Sequence, residues 1–467
     1  MRVRLAEIRE NLALLHEEQI SIQKALAAVT YPVLTLPPEI TSEIFVQCTA
    51  HYIDNKPDSQ SAPLVLTYVC KAWRDIAVHE TRLWRSFRVA FYEPERYSIQ
   101  TRHTLNLVRT YLERAGTGPL DMHIMHVHLH PRTDSPWTVD PLLHDIIRRS
   151  SQWHKVFLSL PWFILAEHFR DKMDFSTLET LALAGATDGP SRLCPISAFA
   201  AAPKLRDVTL YNCATPSIIA LPWVQLTRFD VRGYNAETCL EVLRLAPNLI
   251  SCAFHGPHRR DAVPDILPPP HRQLRHLTIC GSGLNALLSR LTLPKLEEIT
   301  IEEIPFSNSQ RERSFVQFIR RSPALSQFTC HFSVPEEVKA QSIVSMFIAM
   351  PKLSSVHLTA YSDGVEAVLR NIRDSTSFLP CVQSMQFDIP YEDTNNYITS
   401  ALLSEALSTR WNPEPNASDL RSFRLVWLGD SGEVGIGVEE LYLEAQLFEL
   451  KRQGMDIYIG TEEESWI

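Results

Sequence analysis

Pro294-Lys295-Leu296-Glu297-Glu298-Ile299-Thr300-Ile301 carries the reading of most of this chain. Proline cannot continue a preceding helix, and a leucine follows it two residues later. Ile299 and Ile301 then alternate with polar residues, as a half-buried strand requires. The phrase returns at Ser176–Leu183, Pro203–Leu210, Val224–Val231, Pro247–Phe254, Arg272–Ile279, Pro323–Cys330 and Pro351–Leu358, with weaker copies at Pro380–Phe387 and Ser418–Leu425. The leading residues (Leu178, Leu205, Leu226, Leu249, Leu274, Leu296, Leu325, Leu353, Val382 and Leu420) step by roughly 21 to 38 positions, the period of a strand-and-helix repeat.

Helical stretches lie between these strands at Glu237–Leu245, Ser314–Arg321, Ser342–Met350 and Ser400–Leu407, many stopping at a proline. One strand and one helix per turn predict an α/β solenoid over residues 151–467, lined by a curved parallel sheet. A helix at Val438–Arg452 and a strand at Met455–Ile459 are expected to close it. The pattern resembles leucine-rich repeats, irregularly. Cys213 stands where that family often has Asn or Cys after the strand, whereas Tyr234, Pro257 and Ser282 depart from it.

The first 31 residues read differently. Leu5, Ile8, Leu12, Leu15, Gln19, Ile22, Leu26 and Val29 alternate three and four apart, a heptad seam interrupted by Gln19. Such a helix pairs with a second copy or a partner helix, or it folds against its own domain. Tyr31-Pro32 should end it.

Residues 32–90 form a helical module. A helix begins at Leu36-Pro37-Pro38, with Thr35 as a cap and Ile40, Ile44 and Phe45 on one face. A second, from near Pro63, carries Leu66, Val69, Cys70, Trp73 and Ile76-Ala77, and Leu83-Trp84 follows. Residues 91–150 read as a linking region.

LPxEIxxxIF, then VCxxWRxxA and LW, resembles the F-box family over about fifty residues, carried by Leu36, Pro37, Glu39, Ile40, Ile44, Phe45, Val69, Cys70, Trp73, Arg74, Ala77, Leu83 and Trp84. The connection from Ala50 to Pro63 is longer than the family's usual one. With the heptad helix in front, it resembles the F-box proteins of mushroom-forming fungi. The resemblance implies docking on the Skp-type adaptor of a cullin ubiquitin ligase, through Leu36, Pro37, Ile40, Ile44, Phe45, Val69, Trp73 and Trp84. The chain would then be a substrate receptor, not an enzyme. A non-ubiquitin scaffold, oligomerising through residues 1–30, is the alternative.

The solenoid would offer its inner wall to a target protein. Outward-pointing strand residues give the candidate contacts: Tyr211, Arg228, Arg232, His255, His276, Glu298, Glu302, His331, His357 and Arg424. They are polar and mixed in charge, which suits a protein more than a lipid.

Composition excludes other classes. A net charge of −9 argues against nucleic acid and anionic membrane as partners. The nine cysteines, an odd number without a CxxC pair, fit free thiols in the cytoplasm or nucleus. No apolar run approaches a membrane span, and the N-terminus does not read as a signal peptide. No cofactor or metal is expected. His126, His128 and His130 share a strand face with zinc-binding chemistry, but neighbours two apart on one strand lie about 6.6 Å from each other, so surface histidines are the better reading. Gly429-Asp430-Ser431-Gly432 echoes a hydrolase turn without a marked base or acid and reads as a plain turn. Neither GxGxxG nor a P-loop occurs. Cys48 and Cys70 read as core residues.

Overall fold

The recurring Pro-x-Leu phrase is a tight turn as well as a helix stop. In the computed structural model of this chain, the N–H of the leading residue reaches back three positions at 3.2–3.4 Å: Leu205 to Ala202, Leu249 to Ala246, Leu296 to Leu293, Leu325 to Ser322, Leu353 to Met350 and Val382 to Leu379. The proline two residues before the anchor is therefore second in the turn, where its fixed φ fits and no N–H is needed. In the repeat led by Leu274, Arg272 stands in the proline's place and a side chain makes the turn. Leu274 N–H donates to Nδ1 of buried His271 at 3.2 Å, and His271 Nε2 lies 3.0 Å from Ala246 O. Accepting at Nδ1 and donating from Nε2 requires the neutral imidazole. Burial, the largest influence, lowers the pKa of His271 and favours that form.

The structure describes residues 2–28, 36–50, 62–92, 98–127, 141–186, 195–211, 215–256, 268–281, 284–302, 309–331, 340–390, 393, 398–411, 419–428 and 445–467. Val29, Tyr31-Pro32, Thr35, most of the Ala50–Pro63 connection, His128, His130, Cys213, Pro257, Ser282, the Gly429–Gly432 turn and the start of the Val438–Arg452 helix lie outside them. The chain divides into two compact units, residues 1–129 with 140–147, and residues 130–139 with 148–467.

In the first unit, α1 (Arg2–Ala28), α2 (Pro38–Ala50), α3 (Leu66–Val69) and α4 (Lys71–His79) precede β1 (Ser86–Tyr92), α5 (Ser98–Arg114), β2 (Leu120–Val127) and α6 (Pro141–Ile147). α2 starts as its prolines dictate, with Pro38 first in the helix and Pro37 O accepting from Thr41 N at 3.1 Å. The helix expected from Pro63 onward is broken: Cys70 is extended, at φ −156°, and its sulfur caps α4 by accepting from Trp73 N at 3.4 Å. Residues 91–150 are not a mere link. β1 and β2 pair in parallel across α5, with Phe87 opposite Met122 and Val89 opposite Ile124, and Val108, Tyr111, Leu120 and Met122 are buried.

The second unit is α/β with an open parallel sheet. Its strands are β3 (Trp153–Pro161), β4 (Thr180–Ala186), β5 (Asp207–Tyr211), β6 (Arg228–Arg232), β7 (Ser251–His255), β8 (His276–Cys280), β9 (Glu298–Ile301), β10 (Gln327–Cys330), β11 (Ser355–Thr359), β12 (Ser384–Ile389), β13 (Ser422–Trp427) and β14 (Asp456–Thr461). They lie side by side in chain order. The helices are α7 (Trp162–His168), α8 (Ala236–Leu245), α9 (Leu284–Arg290), α10 (Ser309–Arg320), α11 (Ala340–Ile348), α12 (Ser362–Asp374), α13 (Ser400–Trp411) and α14 (Ala445–Arg452). Every leading residue from Leu178 to Leu420 is at most 3% exposed, and burying one such side chain contributes about 1.5–3 kcal/mol. At the start of each strand from β5 to β13 one carbonyl of the preceding repeat takes two successive N–H groups, as Thr227 O from Ile250 and Ser251, and Glu297 O from Ser326 and Gln327. This fixes the register, Ser251 against His276 against Glu298 against Gln327. Three neighbouring strands end on a glycine with positive φ, Gly233, Gly256 and Gly281, a conformation costly for other residues. Among the described residues no helix is long and apolar enough to cross a membrane.

Candidate functional site

Two surfaces, one in each unit, gather the candidate residues. In the first unit, α2 turns Leu36, Ile40 and Ile44 outward, and the α3 turn exposes Val65, Tyr68 and Val69. Ile40 is 50% and Tyr68 62% exposed, while Thr41 and Phe45 on the other side of α2 are buried. Isolated exposed hydrophobes need no explanation, but six large ones on two short elements point to an interaction surface. Pro37 is exposed beside them.

The docking set read from the sequence is corrected at three positions. Phe45 and Trp84, at 1% and 0% exposure, are core residues. Trp73 is half-buried, its ring edge-on to Phe45 with centroids 4.9 Å apart. Trp84 packs edge-on against Tyr111 at 5.0 Å, and the Arg114 guanidinium covers it at 4.4 Å. Large aromatics bury more area than a small helical module can spare, so they go inward. Val65 and Tyr68 were missed. Their signal is the apolar run Leu64-Val65-Leu66, longer than one buried face needs. Cys48 is exposed, not core, and Cys70 is half-buried at its cap.

A polar cluster holds α2 to the turn after α4. Arg82 contacts Glu43 and Glu80, each at 2.9 Å, and Ser42 donates to Glu80 at 2.5 Å. The hydrogen bond from Arg82, the largest influence, holds the Glu80 carboxyl down at about 2, against an opposing effect of burial.

In the second unit all ten candidate target contacts lie on the exposed face of the sheet, each half-buried or exposed. Parallel in-register pairing stacks them in cross-strand rows. One row runs Asp207, Arg228, Ser251, His276, Glu298, and another Tyr211, Arg232, His255, Cys280. Neighbours along the rows pair up. His276 Nδ1 lies 2.9 Å from Glu298, Arg228 4.0 Å from Asp207, and Arg232 sits over Tyr211 at 5.3 Å. Farther on, Arg424 covers the Tyr458 ring at 4.4 Å. Diagonally, His255 Nε2 is 3.5 Å from Asp230. Burial, the dominant influence, raises the pKa of both Asp207 and Asp230, against the pull of Arg228 on the first and of His255 on the second. An open depression of about 540 Å³ lies on this face, lined by Arg228, Ser251, His276, Thr278, Glu298 and Thr300.

The face does not stay open along its length. At the C-terminal ends of β11–β14, Thr359, Asp388, Val426 and Gly460, one row of this face, are buried. There His357 Nε2 contacts Asp388 Oδ2 at 2.6 Å, His331 Nδ1 lies 3.0 Å from the Thr359 hydroxyl, and the two imidazoles stand edge to face at 4.9 Å. Among the described residues, two groups of three have donor atoms within 4.8 Å of one another, His255-Cys280-Glu302 and His331-His357-Asp388. Of the histidine run near residue 126, His123 and His126 are on β2.

Cys239, Cys252 and Cys330 are buried, and burial raises their thiols well above the ordinary range, so they are inert packing groups. In comparisons with known proteins, the chain matches no family model and no curated relative.

Proposed function

We propose that this chain is the substrate receptor of a Skp–cullin–F-box ubiquitin ligase. The helical part of the first unit docks on the Skp-type adaptor, and the exposed face of the repeat sheet holds the target protein. The chain performs no chemistry of its own. It raises the effective concentration of target lysines near a recruited conjugating enzyme. The observation that carries this reading is the outward placement of Leu36, Ile40, Ile44 and Val69, the residues that bear the F-box resemblance, while Phe45 and Trp84 hold the module together. The leucine-rich-repeat character of the second unit belongs to the same reading. So does a location in the cytoplasm or nucleus.

Capture of the full chain by purified Skp-type adaptor tests it. Wild type should be retained, and Leu36→Ala/Pro37→Ala and Ile40→Asp should not. Retention unaffected by both changes would overturn the proposal.

A second reading, a scaffold that self-associates through α1, is favoured by one observation. Leu12 and Leu15 on the heptad seam are 61% and 62% exposed, though Leu14 and Ile20 off the seam are exposed too.

A further inference from the structure

We propose that His331, His357 and Asp388 form a binding site for a divalent transition-metal ion of the zinc class on the exposed face of the repeat sheet. Three successive strands supply the ligands. His357 lies on β11 and Asp388 on β12, and His331 directly follows β10. The register sets His357 opposite Thr329 and Gln386, so His331 and Asp388, each two residues farther along, are its diagonal neighbours on the two flanking strands, and the side chains lean together across the face as those of the single strand at residues 126–130 cannot.

The donor atoms lie within 4.8 Å of one another. Zinc bonds of about 2.0–2.2 Å in a tetrahedron require donors about 3.4 Å apart, so the wider pairs have to close in by at most about 1.4 Å, while His357 Nε2 and Asp388 Oδ2, 2.6 Å apart, have to open by about 0.8 Å. Two imidazoles and one carboxylate are a donor set for zinc, iron(II) or cobalt(II), whereas magnesium and calcium prefer all-oxygen sites.

Outer contacts orient the ligands as metal sites require. The Thr359 hydroxyl pins the His331 ring, and Gln386 donates to Asp388 Oδ1 at 3.0 Å. Asp388 is only 8% exposed, which keeps bulk water from its carboxylate. Protonation states suit ligation. Burial first, then the neighbouring His357, lowers the pKa of His331 and leaves it neutral. Burial acts to raise Asp388, but its hydrogen bonds with His357 and Gln386 outweigh this and keep it below the ordinary carboxylate range. For His357 to bind through Nε2, its proton moves to Nδ1 and Asp388 turns from hydrogen-bond acceptor to ligand. Three protein ligands leave the fourth position to water.

The test uses the full chain, freed of metal with chelator and titrated with zinc chloride by calorimetry and with cobalt chloride by visible absorbance. Wild type should bind zinc and show the ligand-field bands of a tetrahedral cobalt site. His357→Ala and Asp388→Asn should each weaken this by more than about 100-fold, beyond the loss of an outer-shell partner. His331→Gln, at a half-buried ligand, guards against a variant that fails to fold, and zinc should raise the melting temperature of wild type but not of His331→Gln. No zinc uptake by wild type overturns the proposal. So does uptake unchanged in these variants, or a thiolate-to-cobalt charge-transfer band abolished by Cys280→Ser, which would place the ion at His255-Cys280-Glu302 instead.

Discussion

Trp84 donates its indole N–H to the carbonyl of Ala77 at 2.8 Å, and both residues are completely buried. Ala77 lies in the last turn of α4, where carbonyls lack partners within the helix. Trp84 is thus a tie as well as a filler. Trp84→Phe keeps most of the volume but strands the carbonyl, which should cost about 1–3 kcal/mol. Trp84→Ala should cost about 3–5 kcal/mol. Urea unfolding checks both values. A loss below about 0.5 kcal/mol for Trp84→Ala would contradict its core assignment.

Ile40 and Phe45 sit on opposite faces of α2 and should separate binding from folding. Ile40→Asp, at a half-exposed position, should change stability by less than about 0.5 kcal/mol while abolishing adaptor capture. Phe45→Ala should cost about 3–5 kcal/mol and reduce capture only through unfolding. Melting curves beside pull-downs make the comparison.

The Glu80 carboxyl gives the first unit a dependence on acid. Its folded pKa, about 2, lies below the unfolded value near 4.5. Its stabilisation is therefore complete above about pH 4.5 and is lost as pH falls toward 2. Arg82 is substantially exposed, and solvent screening keeps the contribution to about 1 kcal/mol. Glu80→Gln should cost that much at pH 7, with the gap from wild type narrowing below pH 4. A gap constant from pH 7 to pH 3 would refute the assignment.

His271 substitutes for a proline turn and bridges two repeats. Because its folded pKa is lowered, its stabilisation is present above the unfolded value of 6.5 and declines as pH falls through the folded one. His271→Ala removes a donor and an acceptor from Ala246 O and Leu274 N, and should cost about 2–4 kcal/mol at pH 8. Hydrogen exchange should show the loss concentrated around β7 and β8. A uniform change along the sheet would contradict a local role.

Removing residues 1–30 tests the exposed heptads of α1. If α1 pairs with a second copy, light scattering should show a dimer for the full chain and a monomer for the truncated one. Equal masses would set the scaffold reading aside.

The sheet was legible because its anchors repeat. Leu178 through Leu420 each precede a strand that occupies its expected place, and the outward residues after them are half-buried or exposed except toward the ends of the last strands. What escaped lacks that phrase. β3 has the buried Trp153 in the place of the leading leucine, and β1 and β2 lie upstream of the repeats. The proline's place inside a turn was hidden because a helix stop and a second turn position ask for the same residue. The direction of Phe45 and Trp84 was also hidden. Docking and core positions on a short helix are both apolar, and only packing against Trp73 and Tyr111 decides which way a ring goes. The His331-His357-Asp388 group joins residues from three repeats and has no local motif to read.

Among the described residues, strands β4–β13 each pair only with the strand before and after them in the chain. Inserting or deleting one block would slide later side chains along the face without rearranging their order, as marks shift on a ruler. Arg228 on β6 and Arg424 on β13, seven strands apart, stand about 34 Å from each other along the sheet. That span is set by arithmetic in the gene more than by any single contact, so a lineage could match a longer or shorter binding partner by copying or losing whole units.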